Sequence, residues 1–316
     1  MAVNLDKPQR WKEDVALSVD MYNQWFLDFA PGTFRATRIT ATESVENSLQ
    51  LTSFLRDISP NTMRATPKIL STLRMATCPP IAVDRLIGLS GVNPNLVKSM
   101  EKDNRLPTRM ASDVIDNELQ KLAAIVERMA DPDIFVWLAR GNEPTQEEVH
   151  RAATIVADRL CGAQANPIIR NEQEKRQLTK VKAWLEARGY KEVESSGRVD
   201  FQMMHPGTFS FRLNVKVRDN TVNIPVDAVI MPKNASVGDL PLLVEAKSAG
   251  DFTNTNKRRK EEATKMAQLK QSYGSDVKFV LLLCGYFDSG YLGYEAAEGI
   301  DWIWEHRIDD MSELGL

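Results

Sequence analysis

Asp227, Glu245 and Lys247 are the residues whose types and spacing are best suited to chemistry. Glu245 and Lys247 follow the apolar run Leu242-Leu243-Val244 two residues apart, so in a strand both leave the same face while Ala246 leaves the other. Val222, Ile224, Val226, Ala228 and Ile230 alternate with Asn223, Pro225 and Asp227, which predicts a second strand with the aspartate on its less apolar face. Two carboxylates can hold a hard cation; a lysine beside it can orient or deprotonate a water and counter the charge of a pentacovalent phosphorus. Those capabilities are what hydrolysis of a phosphodiester requires. Glu-x-Lys alone is equally the mark of a solvated strand carrying a salt bridge, so the surrounding elements must decide.

Several elements can position these groups. Arg170 to Gly189 reads as a helix with Leu178, Val181 and Leu185 inward; stepping back four residues from Leu178 brings Glu174 to the inner face and leaves Glu172 on the polar side. Glu174 is therefore the candidate for an additional acid, serving a second cation or a water. Phe209, Phe211, Leu213, Val215 and Val217 alternate, and the polar turn at Arg218–Thr221 returns the chain into the Asp227 strand as a hairpin. Lys257, Arg258, Arg259 and Lys260 open the helix that follows Lys247; cations at a helix N-terminus oppose its dipole, which an anionic partner such as phosphate would repair. Val277 to Leu283 then reads as a buried strand reached by a right-handed crossover. Asp239 is a rival first carboxylate, but Gly238 and Pro241 place it in a turn.

The first half reads as helical. Lys7 to Phe29 carries Trp11, Val15, Val19, Tyr22, Trp25, Phe26 and Phe29 at helical spacing. Arg35, Arg38, Arg56, Arg64, Lys68 and Arg74 are cations for phosphate or for solvent. Residues 81–102 suggest a helix-turn-helix, with Gly91 at the turn, Asn93 as N-cap and Pro94 at the first helical position; Asn95, Lys98, Ser99 and Lys102 would face outward, where a major groove could be read. Val114, Leu119, Leu122, Val126 and Met129 line one side of a further helix, and Thr145 to Glu148 is a capping box opening another. Gly162 to Pro167 breaks the pattern, dividing a helical domain, 1–165, from a catalytic domain, 166–316.

Composition narrows the class. The 316 residues are 43% hydrophobic and 26% charged, as in an ordinary globular chain of two domains. No apolar run approaches a membrane span, and Met1 to Pro31 lacks the basic start and apolar centre of a secretory signal, so a cytoplasmic location is expected. Cys78, Cys161 and Cys284, like His150, His205 and His306, are too scattered for disulfide or zinc spacing. A net charge of −3 excludes a globally basic coat and leaves a locally basic cleft as the way to hold nucleic acid.

Pro225-Val226-Asp227 with Glu245-Ala246-Lys247 resembles the PD-(D/E)xK nuclease core, with one residue between proline and aspartate. The segment IIRNEQEKRQL and the tail LCGYFDSGYLGYEAAEGIDWIWEHRIDD make nearly the whole chain similar to type II restriction endonucleases of the XamI type. The resemblance implies an α/β fold: a PD-(D/E)xK core with a mixed central sheet, preceded by a mainly α-helical N-terminal domain. It implies Mg2+-dependent, sequence-specific hydrolysis of double-stranded DNA leaving 5'-phosphates, with Asp227 and Glu245 holding the metal, Lys247 assisting the water and Glu174 as a further acid. A homodimer on a short palindrome and a cognate methyltransferase acting on the same site belong to the same implication. Two rival readings are a helix-turn-helix regulator without catalysis and a repair or recombination nuclease of the same fold.

Overall fold

The computed structural model describes residues 2–193, 204–217, 222–236, 238–253 and 255–316, with the side chains of 255–258 outside the description. The expected turn at Arg218–Thr221 lies outside the described residues. The chain divides into two compact units, one of residues 1–29 with 170–316 and one of residues 30–169. The first 29 residues thus belong with the C-terminal unit, whereas the sequence reading assigned them to a helical domain ending at 165. Among the described residues no helix is long and apolar enough to cross a membrane.

Two long helices differ from the sequence expectation. Helix α1 runs Pro8–Leu51 with Pro31 inside it, well beyond Phe29. Helix α8 runs Gln146–Ala187 with Pro167 inside it, so Gly162 to Pro167 is not a break. A proline costs one hydrogen bond and crowds the preceding turn. Here the buried series Cys161, Ala165, Gln173, Gln177, Val181 and Leu185 keeps helical spacing through it. The capping box forms as expected, the Thr145 amide donating to Glu148 Oε2 at 2.8 Å and the Glu148 amide to Thr145 Oγ1 at 3.2 Å.

Residues 30–169 form a helical unit. Besides its parts of α1 and α8 it holds α2 (Pro60–Ala65), α3 (Leu70–Met75), α4 (Val83–Ser90), α5 (Pro94–Asp103), α6 (Ser112–Met129) and α7 (Trp137–Arg140). Leu49, Leu73, Leu86, Val97, Leu119, Val126, Trp137 and Val156 share its core. On α6 the inward residue of the first turn is Ile115, while Val114 is exposed. Helices α4 and α5 join as the spacing suggests: Gly91 caps α4 in the left-handed region at φ 64°, and the Asn93 side chain accepts from the Asn95 amide at 2.9 Å.

The other unit is built on a six-stranded sheet among the described residues, ordered β1 (Lys191–Glu192), β2 (Thr208–Val217), β3 (Val222–Met231), β4 (Leu242–Ala249), β5 (Lys278–Gly285), β6 (Asp301–Trp304). β2–β3 and β3–β4 are antiparallel; β1–β2, β4–β5 and β5–β6 are parallel. Val181, Trp184 and Leu185 of α8 cover one face, packing on Phe209, Ala228, Ile230, Val244, Val280 and Leu282. The other face carries Met266 and Leu269 of α9 (Thr255–Tyr273) and Leu292 of α10 (Ser289–Ala297), over Leu213, Val215, Val226, Leu243 and Leu281. With both faces covered, β5 is apolar almost throughout. Gly285, at φ 97°, is required where β5 ends, since a Cβ there would lie 2.1 Å from the Ala249 carbonyl oxygen.

The alternation in β2 does not keep one face. Phe209 packs in the α8 core, but Leu213, Val215 and Val217, of the same parity, pack in the α9 core. The cause is Arg212, which sits at φ 54° mid-strand and rotates the chain between Phe211 and Leu213. β3 switches at the matching point: Ile224 and Val226 serve the α9 core, Ala228 and Ile230 the α8 core. Asp227 lies at that switch.

Candidate active site

β3 and β4 pair as Ala228 with Val244, Val229 with Leu243 and Ile230 with Leu242. Continued by one step, this register sets Asp227 opposite Glu245, and by three it sets Pro225 opposite Lys247. The ladder stops before that step. Pro225 has no amide to offer and is exposed, as suits a stretch where the strand has lost its neighbour. The Asp227 carboxylate takes over, its Oδ2 accepting the Ala246 amide at 2.8 Å. Two antiparallel strands therefore part where they carry a carboxylate each, and the amide between Glu245 and Lys247 is turned to the aspartate.

Period two along β4 then places Glu245 and Lys247 together under α9. Lys247 Nζ is 3.1 Å from Glu245 Oε1 and 3.4 Å from Glu262 Oε1 on α9. Lys265, one turn further along α9, reaches Glu245 Oε1 at 2.5 Å and the Pro225 carbonyl oxygen at 3.3 Å. Glu245 is 6% exposed, and its second oxygen, Oε2, has no hydrogen-bond partner among the described residues. A buried carboxylate oxygen without a donor is costly unless something positive meets it.

The charges respond to this crowding. Burial, then the negative charge of Glu245, pushes Asp227 up to about 6; Glu174 adds to the rise, while the Ala246 amide and Lys247 oppose it. Burial works against the Lys247 ammonium, but Glu245, Glu262 and Asp227 outweigh it and hold the group above its usual range. A buried carboxylate whose proton affinity is raised by a second carboxylate beside it marks a site that favours an added cation.

Glu174 lies close enough to act on Asp227, and its Oε1 accepts from Arg212 at 2.9 Å. Glu172 instead pairs with Lys175 at 3.6 Å. Beside Glu174 on α8, the buried Gln177 donates to the carbonyl oxygens of Leu282 at 3.1 Å and Lys247 at 3.4 Å, tying the helix to β5 and β4. Asp239 is elsewhere: it lines a cavity of about 710 Å³ with Pro232, Tyr273 and Lys278, where β4 has not yet begun.

The basic candidates are dispersed. Lys257 and Arg258 have side chains outside the described residues. Arg259 lies over the Tyr294 ring at 3.5 Å and Lys260 is exposed. On α5, Asn95, Lys98 and Lys102 are exposed and Ser99 is half-buried. Four earlier cations are engaged with acids of their own unit, Arg38 with Asp158, Arg56 with Glu143, Arg64 with Asp116 and Arg74 with Glu101.

Sequence reasoning passed over Glu262, Lys265, Gln177 and Arg212. For Glu262 a signal exists: it shares helical spacing with Met266 and Leu269, the apolar inner residues of α9.

A model of XamI restriction endonucleases matches residues 53–304. The chain belongs to the XamI restriction endonuclease family. It is also 55% identical over 316 residues to the type II restriction enzyme SalI of Streptomyces albus G, an alignment covering 99% of each chain. No solved structure matches the chain. As a family member it is a type II site-specific deoxyribonuclease acting on double-stranded DNA, which sets aside the regulator reading.

Proposed function

We propose that this restriction endonuclease is a PD-(D/E)xK enzyme whose centre is Asp227, Glu245 and Lys247, and that it cleaves with Mg2+ to leave 5'-phosphate and 3'-hydroxyl ends. The observation that carries the reading is the parting of β3 and β4, which sets Asp227 across from Glu245 and turns the Ala246 amide to the aspartate.

The donor set suits Mg2+. Among the described residues no group of three or more His, Cys, Asp or Glu side chains is spaced to hold a metal ion. Mg2+ does not need one, since it is commonly held by one or two carboxylates with water and substrate phosphate completing its shell. The donor-free Oε2 of Glu245 and the raised proton affinity of Asp227 are the imbalance that such a cation corrects. When bound it would supply charge neutralisation at the scissile phosphate and acidify water.

The chain's own groups do the rest. Asp227 and Glu245 hold the cation, and Lys247, kept cationic by its acidic neighbours, orients the attacking water and faces the charge that builds on phosphorus. Glu174 stands by as an additional acid, paired with Arg212 until substrate arrives. Asn95, Lys98, Ser99 and Lys102 on α5, and Lys257, Arg258, Arg259 and Lys260 on α9, are the DNA contacts of this reading. A homodimer matched to a short palindrome, a cytoplasmic location and a methyltransferase protecting the same site complete it.

The test is cleavage of unmethylated phage DNA with Mg2+ or with chelator, beside Glu245→Ala. Discrete bands that require Mg2+, carry 5'-phosphates and vanish in the variant support the assignment. Unchanged cleavage by Glu245→Ala would move the centre elsewhere in the same enzyme.

A further inference from the structure

The inner face of α9 meets the sheet through Glu262, Met266 and Leu269, at spacings of four and three. Two of these are the apolar residues such a face calls for. The third is a glutamate with 0% exposure. A buried carboxylate costs several kcal/mol of desolvation, which an apolar residue at that position would avoid, so its placement calls for a partner. The partner is Lys247, 3.4 Å away.

Glu262 is itself held from behind. Tyr291 of α10 donates its hydroxyl to Glu262 Oε2 at 2.8 Å. One turn on, Glu295 is also 0% exposed, and neither of its oxygens meets a donor among the described residues. Burial, then the neighbouring Glu262 charge, pushes Glu295 up to about 8, so at neutral pH it carries a proton and has a hydrogen to give. Glu262 Oε1 itself has no hydrogen bond among the described residues and faces Lys247. Tyr291 and Glu262 therefore link α10 through α9 to the catalytic lysine.

The arrangement solves a specific problem at the centre. Lys247 and Lys265 both approach Glu245 Oε1, at 3.1 and 2.5 Å, and either could neutralise the carboxylate that the proposed cation needs. A second carboxylate on the far side of Lys247 draws its ammonium back and shares its charge.

We infer that Glu262 is a positioning residue for Lys247, anchored by Tyr291, and that cleavage depends on it although it touches neither metal nor DNA. The inference rests on Lys247 acting in catalysis as proposed above.

The experiment measures single-turnover cleavage with Mg2+, DNA affinity with Ca2+ and thermal melting for Glu262→Gln, Tyr291→Phe and the double variant, with Lys247→Met as reference. Glu262→Gln is expected to lose about 10- to 100-fold in rate, the size typical of groups supporting a catalytic ligand from behind, at unchanged DNA affinity and melting temperature. Tyr291→Phe should lose less, and nothing further when added to Glu262→Gln, because it acts through that carboxylate. A wild-type rate in Glu262→Gln, or a loss matched by a falling folded fraction, overturns the inference. If Glu262→Gln does not fold, Tyr291→Phe decides alone, and a wild-type rate there overturns it. Inactive Lys247→Met beside fully active Glu262→Gln sinks this inference and leaves the catalytic assignment standing; fully active Lys247→Met removes both.

Discussion

Arg38, Arg56, Arg64, Arg74 and Arg140 of the 30–169 unit and the carboxylates around Lys247 are charged groups in ion pairs, yet they are arranged on opposite terms. In the helical unit the paired arginines each meet one acid, and the contacts are balanced: Arg74 reaches both oxygens of Glu101 at 3.0 and 3.1 Å, and Arg140 both oxygens of Glu148 at 2.8 and 2.6 Å. In the sheet unit Lys247 faces two carboxylates, Glu245 Oε1 faces two lysines, and buried oxygens of Glu245, Glu262 and Glu295 make no hydrogen bond among the described residues. Paired charges hold a fold and little else. Unbalanced ones keep a cost that a stability-driven design would remove, and here the cost concentrates at the proposed centre.

The contrast breaks most visibly if the imbalance is removed at its centre. Glu245→Gln keeps the shape of the side chain and discards its charge. Mg2+-dependent cleavage should fall about a thousandfold or more, as when other electrostatic groups of an active site are lost, while the melting temperature stays within a few degrees. Quantified cleavage of a supercoiled plasmid beside calorimetry separates the two effects. A variant that melts early and cleaves normally when folded would make Glu245 a structural residue like Glu101.

Glu295 gives a second contrast, read through pH. Its folded-state pKa of about 8 lies above the ordinary carboxylate value of 4.5, so between those limits the native state holds a proton that the unfolded chain has released. Stability from this group is then complete below about pH 4.5 and is lost as pH rises towards 8. Glu295→Gln should flatten the fall between pH 5 and 8 and be the more stable protein at pH 8, by on the order of 4 kcal/mol. Urea unfolding at several pH values measures this. Parallel curves for variant and wild type would mean that Glu295 is not the buried acid described.

These groups also show how far the sequence alone could lead. Glu245 and Lys247 were legible because period two in a short apolar strand is a local rule, and Asp227 because its strand alternates. Glu262, Tyr291 and Glu295 are brought to Lys247 by the packing of two helices on a sheet, which no local rule supplies. The spacing of Glu262 with Met266 and Leu269 was nevertheless available, and the four cations before it drew the reading to the start of the helix instead. Pro167 misled in the other direction: with Gly162 it reads as a break by local chemistry, yet α8 runs through it, as α1 runs through Pro31. Arg212 could not have been found, because a left-handed arginine mid-strand contradicts the propensity on which the reading depends.

That arginine offers a smaller test. At φ 54° a side chain pays for a conformation that glycine adopts freely, and the strain sits in β2 where the register would bring Asp227 alongside. Arg212→Gly should stabilise the protein by about 1 kcal/mol, whereas Arg212→Ala should not, since alanine keeps the Cβ. Chemical denaturation of both variants is sufficient. Equal effects would place the cost in the ion pair with Glu174 and not in the backbone.

The smallest effect belongs to the balanced pairs. Arg64 bonds Asp116 and the Ser112 carbonyl oxygen from a site where the arginine and aspartate side chains remain 32% and 47% exposed, so water screens the pair and solvates either partner when the other is removed. Arg64→Gln should change stability by no more than about 0.5 kcal/mol, with a further decrease in that difference at high salt. Because Arg64 is already engaged within its own unit, DNA affinity should hold as well, with an unchanged slope of binding against salt concentration. A slope reduced by about one would instead show that Arg64 leaves Asp116 for a phosphate, since each phosphate contact releases close to one counterion. In that case the one-to-one pairing of the helical unit would describe only the protein without its substrate, and the arginines would join the lysines of the sheet unit as charges held ready.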